Sequence, residues 1–304
     1  MRVVFMGTPE FAVPSLSALA ERHEVALVLT RPDAVRGRGK VLEPSSVKAR
    51  ALELGLEVLE TNRITPEVLD AVRTAGPDII AVAAYGCILP DEVLNLAPHG
   101  CINVHASLLP HGRGAAPIQR AVLEGDEFAG VSIMEVVHDL DAGAFCHQAS
   151  VEVGEKDCAS LMRELAELGA AELIAAIDEI EAGTVTWTEQ DESQVTYAAK
   201  VTKAEMRLDP EDTARTNARR VQASTDAAPA RLTVAGKGVR AMSARVASEK
   251  VAPGEVVVTK GHVTIGCSDG ALELLRVKPD GKREMEASAW AAGLRGASLA
   301  WCRA

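Results

Sequence analysis

Apolar and polar positions follow two rhythms through roughly the first 180 residues of the chain. Short, almost wholly apolar runs at 2–6, 24–29, 56–59, 78–83 and 101–104 read as strands covered on both faces. Between them, 14–22, 45–54, 65–75 and 90–96 carry apolar residues at a spacing near 3.6, several opening on Ser, Thr or Pro, so they read as crossover helices. Strand and helix in alternation predict βαβ units and a mainly parallel, Rossmann-like sheet. Runs at 131–137 and 144–151 predict a further strand pair, and 158–182 predicts a long amphipathic helix that closes this α/β domain.

The rhythm then changes. Residues 183–206 are polar without a sustained period and read as a linker lying over the first domain. After it comes one helix, at 210–223. Five short β-like runs follow, at 230–235, 238–246, 254–259, 262–267 and 271–277, punctuated by Gly and Pro. Five such strands in residues 207–304 predict a small C-terminal β-barrel of the oligonucleotide-binding type.

Charge sharpens this division. The net charge of −11 argues against a sequence-indifferent nucleic-acid binder, since such affinity rests on neutralising phosphates. Residues 207–304 nevertheless hold 16 Lys and Arg against 11 Asp and Glu, a net of +5, while residues 1–206 carry a net of −16. The six cysteines lie singly, without paired spacings for zinc or the density of a disulfide scaffold, so no metal is expected. The chain opens directly on an apolar strand, without the succession of a signal peptide or a run of membrane-spanning length, and a cytoplasmic monomer is expected.

In open parallel sheets, ligands bind beyond the carboxyl ends of the strands. That rule selects the run INVHASLLPHGRGAAPIQ, in which Asn103 and His105, two residues apart, share one face of the strand at 101–104. Alone, such a pair either pins a loop or does chemistry. Cys101, just upstream, reads as a buried thiol. Asp141 stands in HDLDAG between two strands, with Gly143 placed to permit a tight turn. Amide, imidazole and carboxylate together cover what acyl transfer to an amine requires: a donor for an oxyanion, a proton carrier near neutral pH, and a charge to support it. Tyr85, Gly86, Ile88 and Leu89, beyond the fourth strand, either line the same crevice or, for Ile88 and Leu89, turn toward the core.

The run Asn103-Val104-His105, then Ser107-Leu108-Leu109-Pro110, Arg113-Gly114 and the distant Asp141, resembles the formyltetrahydrofolate-dependent formyltransferase superfamily. The segments VVFMGTPEFAVPSL, RPDAVRGRGK, AYGCILP and GAAPIQRA point within it to the branch acting on aminoacylated initiator tRNA. The likeness runs through the first domain and is weaker beyond residue 206. It implies that Asn103, His105 and Asp141 are catalytic, and that Ser107, Leu108, Leu109 and Pro110 form the loop against which folate packs. It further implies a formyl group passing from 10-formyltetrahydrofolate to the α-amine of methionyl initiator tRNA, for translation initiation. One departure is that His111-Gly112 stands where the family carries Arg-Trp, so an aromatic contact is lost.

The loop 31–40 holds Arg31, Arg36, Arg38 and Lys40 against Asp33. Composition leaves open a solvated loop, whereas the resemblance assigns Arg36, Arg38 and Lys40 to the tRNA acceptor arm. In the second domain, residues 213–250 carry a net of +6 and few aromatics, which suits phosphate contact with a structured RNA through residues such as Arg219 and Arg220. Two alternatives stay open: a formyltransferase for a small-molecule or sugar-nucleotide amine, and a noncatalytic RNA- or folate-binding protein.

Overall fold

A computed structural model of the chain describes residues 1–35, 41–259, 261–294 and 299–304. They fall into two compact units, one of residues 1–117, 128–152 and 162–198, the other of 118–127, 153–161 and 199–304. In the first unit the apolar runs become β1 (Arg2–Gly7), β2 (Glu24–Thr30), β5 (Val58–Glu60), β6 (Ile79–Ala83), β7 (Cys101–His105), β8 (Phe128–Glu135) and β9 (Phe145–Glu152), and two short strands outside those runs, β3 (Ala34–Val35) and β4 (Leu42–Glu43), pair with each other. The main sheet runs β5-β2-β1-β6-β7-β8-β9. Its members from β5 to β7 are parallel, and β8 and β9 are antiparallel to their neighbours.

Helices α1 (Val13–Arg22), α2 (Ser46–Glu53), α3 (Pro66–Ala75) and α4 (Asp91–Leu94) join the parallel strands. Their starts have local causes. The Ser45 and Thr65 side chains accept from the Lys48 and Val68 N–H groups, and Gly76, at φ 60°, ends α3 in the left-handed region. A short α5 (Pro117–Glu124), too brief for a clear period, precedes β8. The long α6 (Cys158–Ala182) has the predicted bounds. Its Gly169 lies against β7, where a Cβ would meet Val104 Cγ1 at 2.6 Å.

His147 of β9 faces two acids of α6, with Nδ1 2.8 Å from Glu172 and Nε2 3.3 Å from Glu179. Sequence spacing does not bring these groups together; the strand–helix packing does. Burial lowers the imidazole pKa, but hydrogen bonds to Glu172 and Glu179 outweigh it, and the net shift is upward from 6.5. A raised folded-state pKa contributes stability fully present below pH 6.5 and lost as pH rises through the folded value. The melting-temperature gap between the parent and a His147→Gln variant is therefore expected to be widest at pH 6 and to shrink by about pH 8.5. A gap that widens with pH would contradict the pairing.

The second unit contains α7 (Ala214–Gln222), which starts later than the 210–223 pattern predicts. Thr213 caps it, and the preceding turn is held by Asn217, whose side chain binds both the N–H and the carbonyl of Asp209. Strands β10 (Arg231–Val234), β11 (Lys237–Ala247), β12 (Val256–Thr259), β13 (His262–Gly266) and β14 (Ala271–Pro279) correspond to the five predicted runs. Two short strands, β15 (Met285–Glu286) and β16 (Trp301–Arg303), join them, along with the small helix α8 (Ala287–Ala291). The sheet order is β12-β13-β14-β11-β10-β16, with β15 on β14. Backbone bonds from Val256 N to Leu299 O and from Trp301 N to Gly254 O, both 2.8 Å, draw the two edges together, so the sheet curls into a small barrel. Among the described residues, no helix is long and apolar enough to cross a membrane.

Candidate active site

Strand order reverses at β1, which has β2 on one side and β6 on the other. A crevice is expected beyond the carboxyl ends at such a switch point. The Thr8 hydroxyl there donates to the Tyr85 carbonyl at 2.9 Å, tying the end of β1 to the end of β6.

On β7, side chains alternate between the two faces. Val104 points to α6. Cys101, Asn103 and His105 form the opposite row, with Asn103 in register with Val82. That row starts in a core shared with Val68, Val72 and Val93, where burial pushes the Cys101 thiol up to about 12, so it is an inert packing group. Helical cover then runs out, because α4 has only four residues. Asn103 is half-buried, and among the described residues no group hydrogen-bonds its carboxamide.

His105 Nε2 lies 3.0 Å from the Gly112 carbonyl. A carbonyl only accepts, so this nitrogen carries the hydrogen, and in the neutral ring Nδ1 keeps its lone pair. Nδ1 is 3.8 Å from Asp141 Oδ2, with the two side chains 7% and 19% exposed. The unoccupied proton site of the imidazole thus faces a carboxylate. In the His111-Gly112 pair, the His105 Nε2 contact uses the backbone of Gly112, at φ 76°.

Asp141 itself adopts φ 50°, a conformation that Asp tolerates better than most residues. Its Oδ2 accepts from Gly114 N at 2.8 Å. The sequence assigns the turn's special geometry to Gly143, but the left-handed residue is Asp141. What Gly143 supplies is close approach: a Cβ there would collide with the Glu135 carbonyl oxygen of β8.

The loop 107–110 is held from below by Ser132, buried on β8. Its hydroxyl donates to Ser107 O at 2.6 Å and accepts from Leu109 N at 3.1 Å, while Gln148 Nε2 reaches both Ser132 Oγ and Leu109 O at 2.8 Å. Leu109 is buried, Leu108 packs over Gly130, and Leu109-Pro110 is a cis peptide. Beyond β6, the Tyr85 ring joins the core, with burial raising its phenol pKa, and only its backbone stands at the strand end. The Gly86 carbonyl accepts from Arg31 Nη1 at 2.7 Å. Leu89 packs on the core as its alternative reading has it, whereas Ile88 is 91% exposed and does not.

Arg36, Arg38 and Lys40 lie outside the described residues. Arg219 donates to Glu124 O at 3.2 Å, and Arg220 pairs with Asp212 at 2.5 Å. Arg231, Arg240 and Arg245 likewise face Asp280, Asp226 and Glu273. Along residues 213–250, Arg231 and Arg245 are therefore paired with carboxylates remote in sequence, and Arg220 and Arg240 with nearer ones.

Comparison with known proteins agrees with this picture. The Formyl transferase family profile matches residues 1–177, and the Formyl transferase, C-terminal domain profile matches residues 200–295. A methionyl-tRNA formyltransferase of Methylococcus capsulatus is 44% identical over 292 residues, covering 94% of this chain and 95% of that protein. One from Halorhodospira halophila is 42% identical over 299 residues, covering 97% and 96%. Among solved structures, HypX from Aquifex aeolicus, in complex with tetrahydrofolic acid, superposes with a TM-score of 0.68 at 23% identity. That match covers 98% of this chain and 48% of HypX, so the chain spans about half of that protein and the likeness is one of fold. At this level of identity and coverage, the chain belongs to the methionyl-tRNA formyltransferase family.

Proposed function

We propose that the chain transfers a formyl group from 10-formyltetrahydrofolate to the α-amino group of methionyl initiator tRNA, with Asn103, His105 and Asp141 performing the transfer. The observation that carries the assignment of residues is that Asn103, whose carboxamide has no hydrogen-bond partner among the described residues, shares a face of β7 with His105, whose Nδ1 lies 3.8 Å from the Asp141 carboxylate. The folate, when bound, supplies an electrophilic formyl carbon and N10 as leaving group.

The chain's own groups do the rest. The Asn103 N–H donates to the formyl oxygen as negative charge develops there, and so lowers the barrier to attack by the amine nitrogen. His105 takes at Nδ1 the proton that the amine sheds as its N–C bond forms, and returns it to N10 as the C–N10 bond breaks. Asp141 stabilises the imidazolium that exists between these events. Leu108 and Ile88 offer apolar surface for the folate ring, and Gly86 and the loop Ser107 to Pro110, with backbone groups held by Arg31, Ser132 and Gln148, form fixed walls around it. Residues 1–182 form the catalytic domain, 183–206 the connection, and 207–304 the domain that meets the tRNA surface, with Arg36, Arg38, Lys40, Arg219 and Arg220 on phosphates. The same reading has the chain act as a cytoplasmic monomer.

A transfer assay with labelled formyl donor tests this, offering charged initiator tRNA, free methionine and an amino sugar in parallel. Label is expected on the tRNA alone, at a rate with subsaturating tRNA that falls steeply between about 50 and 200 mM salt as phosphate contacts are screened. Label on the sugar alone would move the protein to a different substrate.

A further inference from the structure

The polar stretch after α6 has no period, yet residues 188–198 are tightly engaged within the first unit. Thr188 and Phe145 exchange two backbone hydrogen bonds, at 2.8 and 3.0 Å. Arg113 N donates to Thr196 O at 3.0 Å, and Ala198 N to Arg113 O at 2.7 Å. Between these anchors Gln190 turns inward and is 8% exposed. Its Nε2 donates to Asp141 O at 2.9 Å and to Gly143 O at 2.7 Å. Its Oε1 accepts from Arg113 Nε at 2.9 Å. Only one orientation of the amide satisfies two carbonyls and one N–H at once, so the side chain is fixed.

Arg113 is 3% exposed, and its guanidinium spans Glu192, at 2.7 and 3.4 Å. Its neighbour Gly114 holds the Asp141 carboxylate. The pair Arg113-Gly114 thus grips Asp141 at both ends, at the carboxylate directly and at the carbonyl through Gln190. A non-glycine residue at φ 50° persists where its surroundings over-determine it.

We propose that Gln190, backed by Arg113, is a positioning residue for the transfer reaction: it holds the 141–143 turn so that the Asp141 carboxylate stays in place beside His105. The inference rests on the catalytic reading of Asp141. Among the described residues, the Gln190 side chain hydrogen-bonds to the turn's carbonyls and to Arg113, and the Thr188–Phe145 bonds keep the segment in place without it.

Four variants test it: Gln190→Ala, Gln190→Glu, Asp141→Asn and the double variant Gln190→Ala with Asp141→Asn. Gln190→Ala is expected to lower kcat by about ten- to a hundredfold, the scale of a small misplacement of a catalytic group, with KM for both substrates within about threefold. Gln190→Glu keeps the volume and the Arg113 partner but turns an oxygen toward two carbonyls, so it is expected to be no better than the alanine. It also carries the test if the alanine variant loses its fold on thermal melting. In the Asp141→Asn background, the further loss from Gln190→Ala is expected to fall below about twofold, because residues acting through one group are not additive. Full activity in Gln190→Glu, or an undiminished loss in the Asp141→Asn background, overturns the proposal. If Asp141→Asn abolishes transfer while Gln190→Ala does not, this inference alone fails; if Asp141→Asn remains active, the underlying reading of the carboxylate fails.

Discussion

Asn103→Ala is expected to lower kcat for formyl transfer by about a hundredfold or more, the usual consequence of deleting one oxyanion donor. The expectation follows from what the side chain does not do in the folded protein. Its carboxamide has no hydrogen-bond partner among the described residues, so removing it breaks no internal hydrogen bond there and little stability is at stake. Its backbone remains in register with Val82 and Met134. A group that engages only as charge develops on the formyl oxygen changes kcat and leaves KM nearly alone. Asn103→Asp, of the same shape but without an N–H donor when ionised, should be as slow as the alanine. The measurement is single-turnover transfer with saturating donor and charged tRNA, beside a thermal melt of each variant. A folded Asn103→Ala protein within a few-fold of the parent rate would remove this residue from the scheme.

Gly143→Ala is expected to cost about 1–3 kcal/mol of stability and to slow transfer as well, because an overpacked site must shift its backbone. The atom a new methyl would strike is the Glu135 carbonyl oxygen, part of β8, and Glu135 N is itself bonded to Ala144 O at 2.8 Å. Neither side can yield without opening the end of the β8–β9 ladder. If the turn yields instead, Asp141 moves relative to His105, and the rate falls with it. Gly270→Ala is the control: a Cβ there meets nothing within 4 Å, and the residue is not in the left-handed region. It should be neutral or slightly stabilising, through the reduced freedom of the unfolded chain. Denaturant midpoints of the two variants against the parent decide the matter, and equal stabilities would contradict the close approach.

Much of this protein was legible from local pattern. Apolar runs bounded by Gly, Ser, Thr and Pro place the parallel strands and their helices because the period and the cap of an element are set by neighbours within a turn or two. Asn103 and His105 were readable as a pair for the same reason, since residues two apart in a strand share a face whatever surrounds them. Asp141 taken alone read as an ordinary turn residue between two strands, and it gained a role only beside Asn103 and His105 and through its likeness to a family motif.

Other features depended on partners remote in sequence. The sequence contains Gln190 in an aperiodic polar stretch, but Arg113 lies 77 positions away from it and Asp141 49 positions away. Its meaning arises only when the folded chain lays them together. The burial of the Tyr85 ring and the exposure of Ile88, three residues on, follow from how the end of β6 meets the core, not from either side chain's hydropathy. The pairing of His147 with Glu172 and Glu179, and of Arg231 and Arg245 with the distant Asp280 and Glu273, likewise belong to packing. Periodicity specifies which face of an element is apolar; which polar groups meet across elements is decided by tertiary structure, where burial makes each unpaired polar group costly.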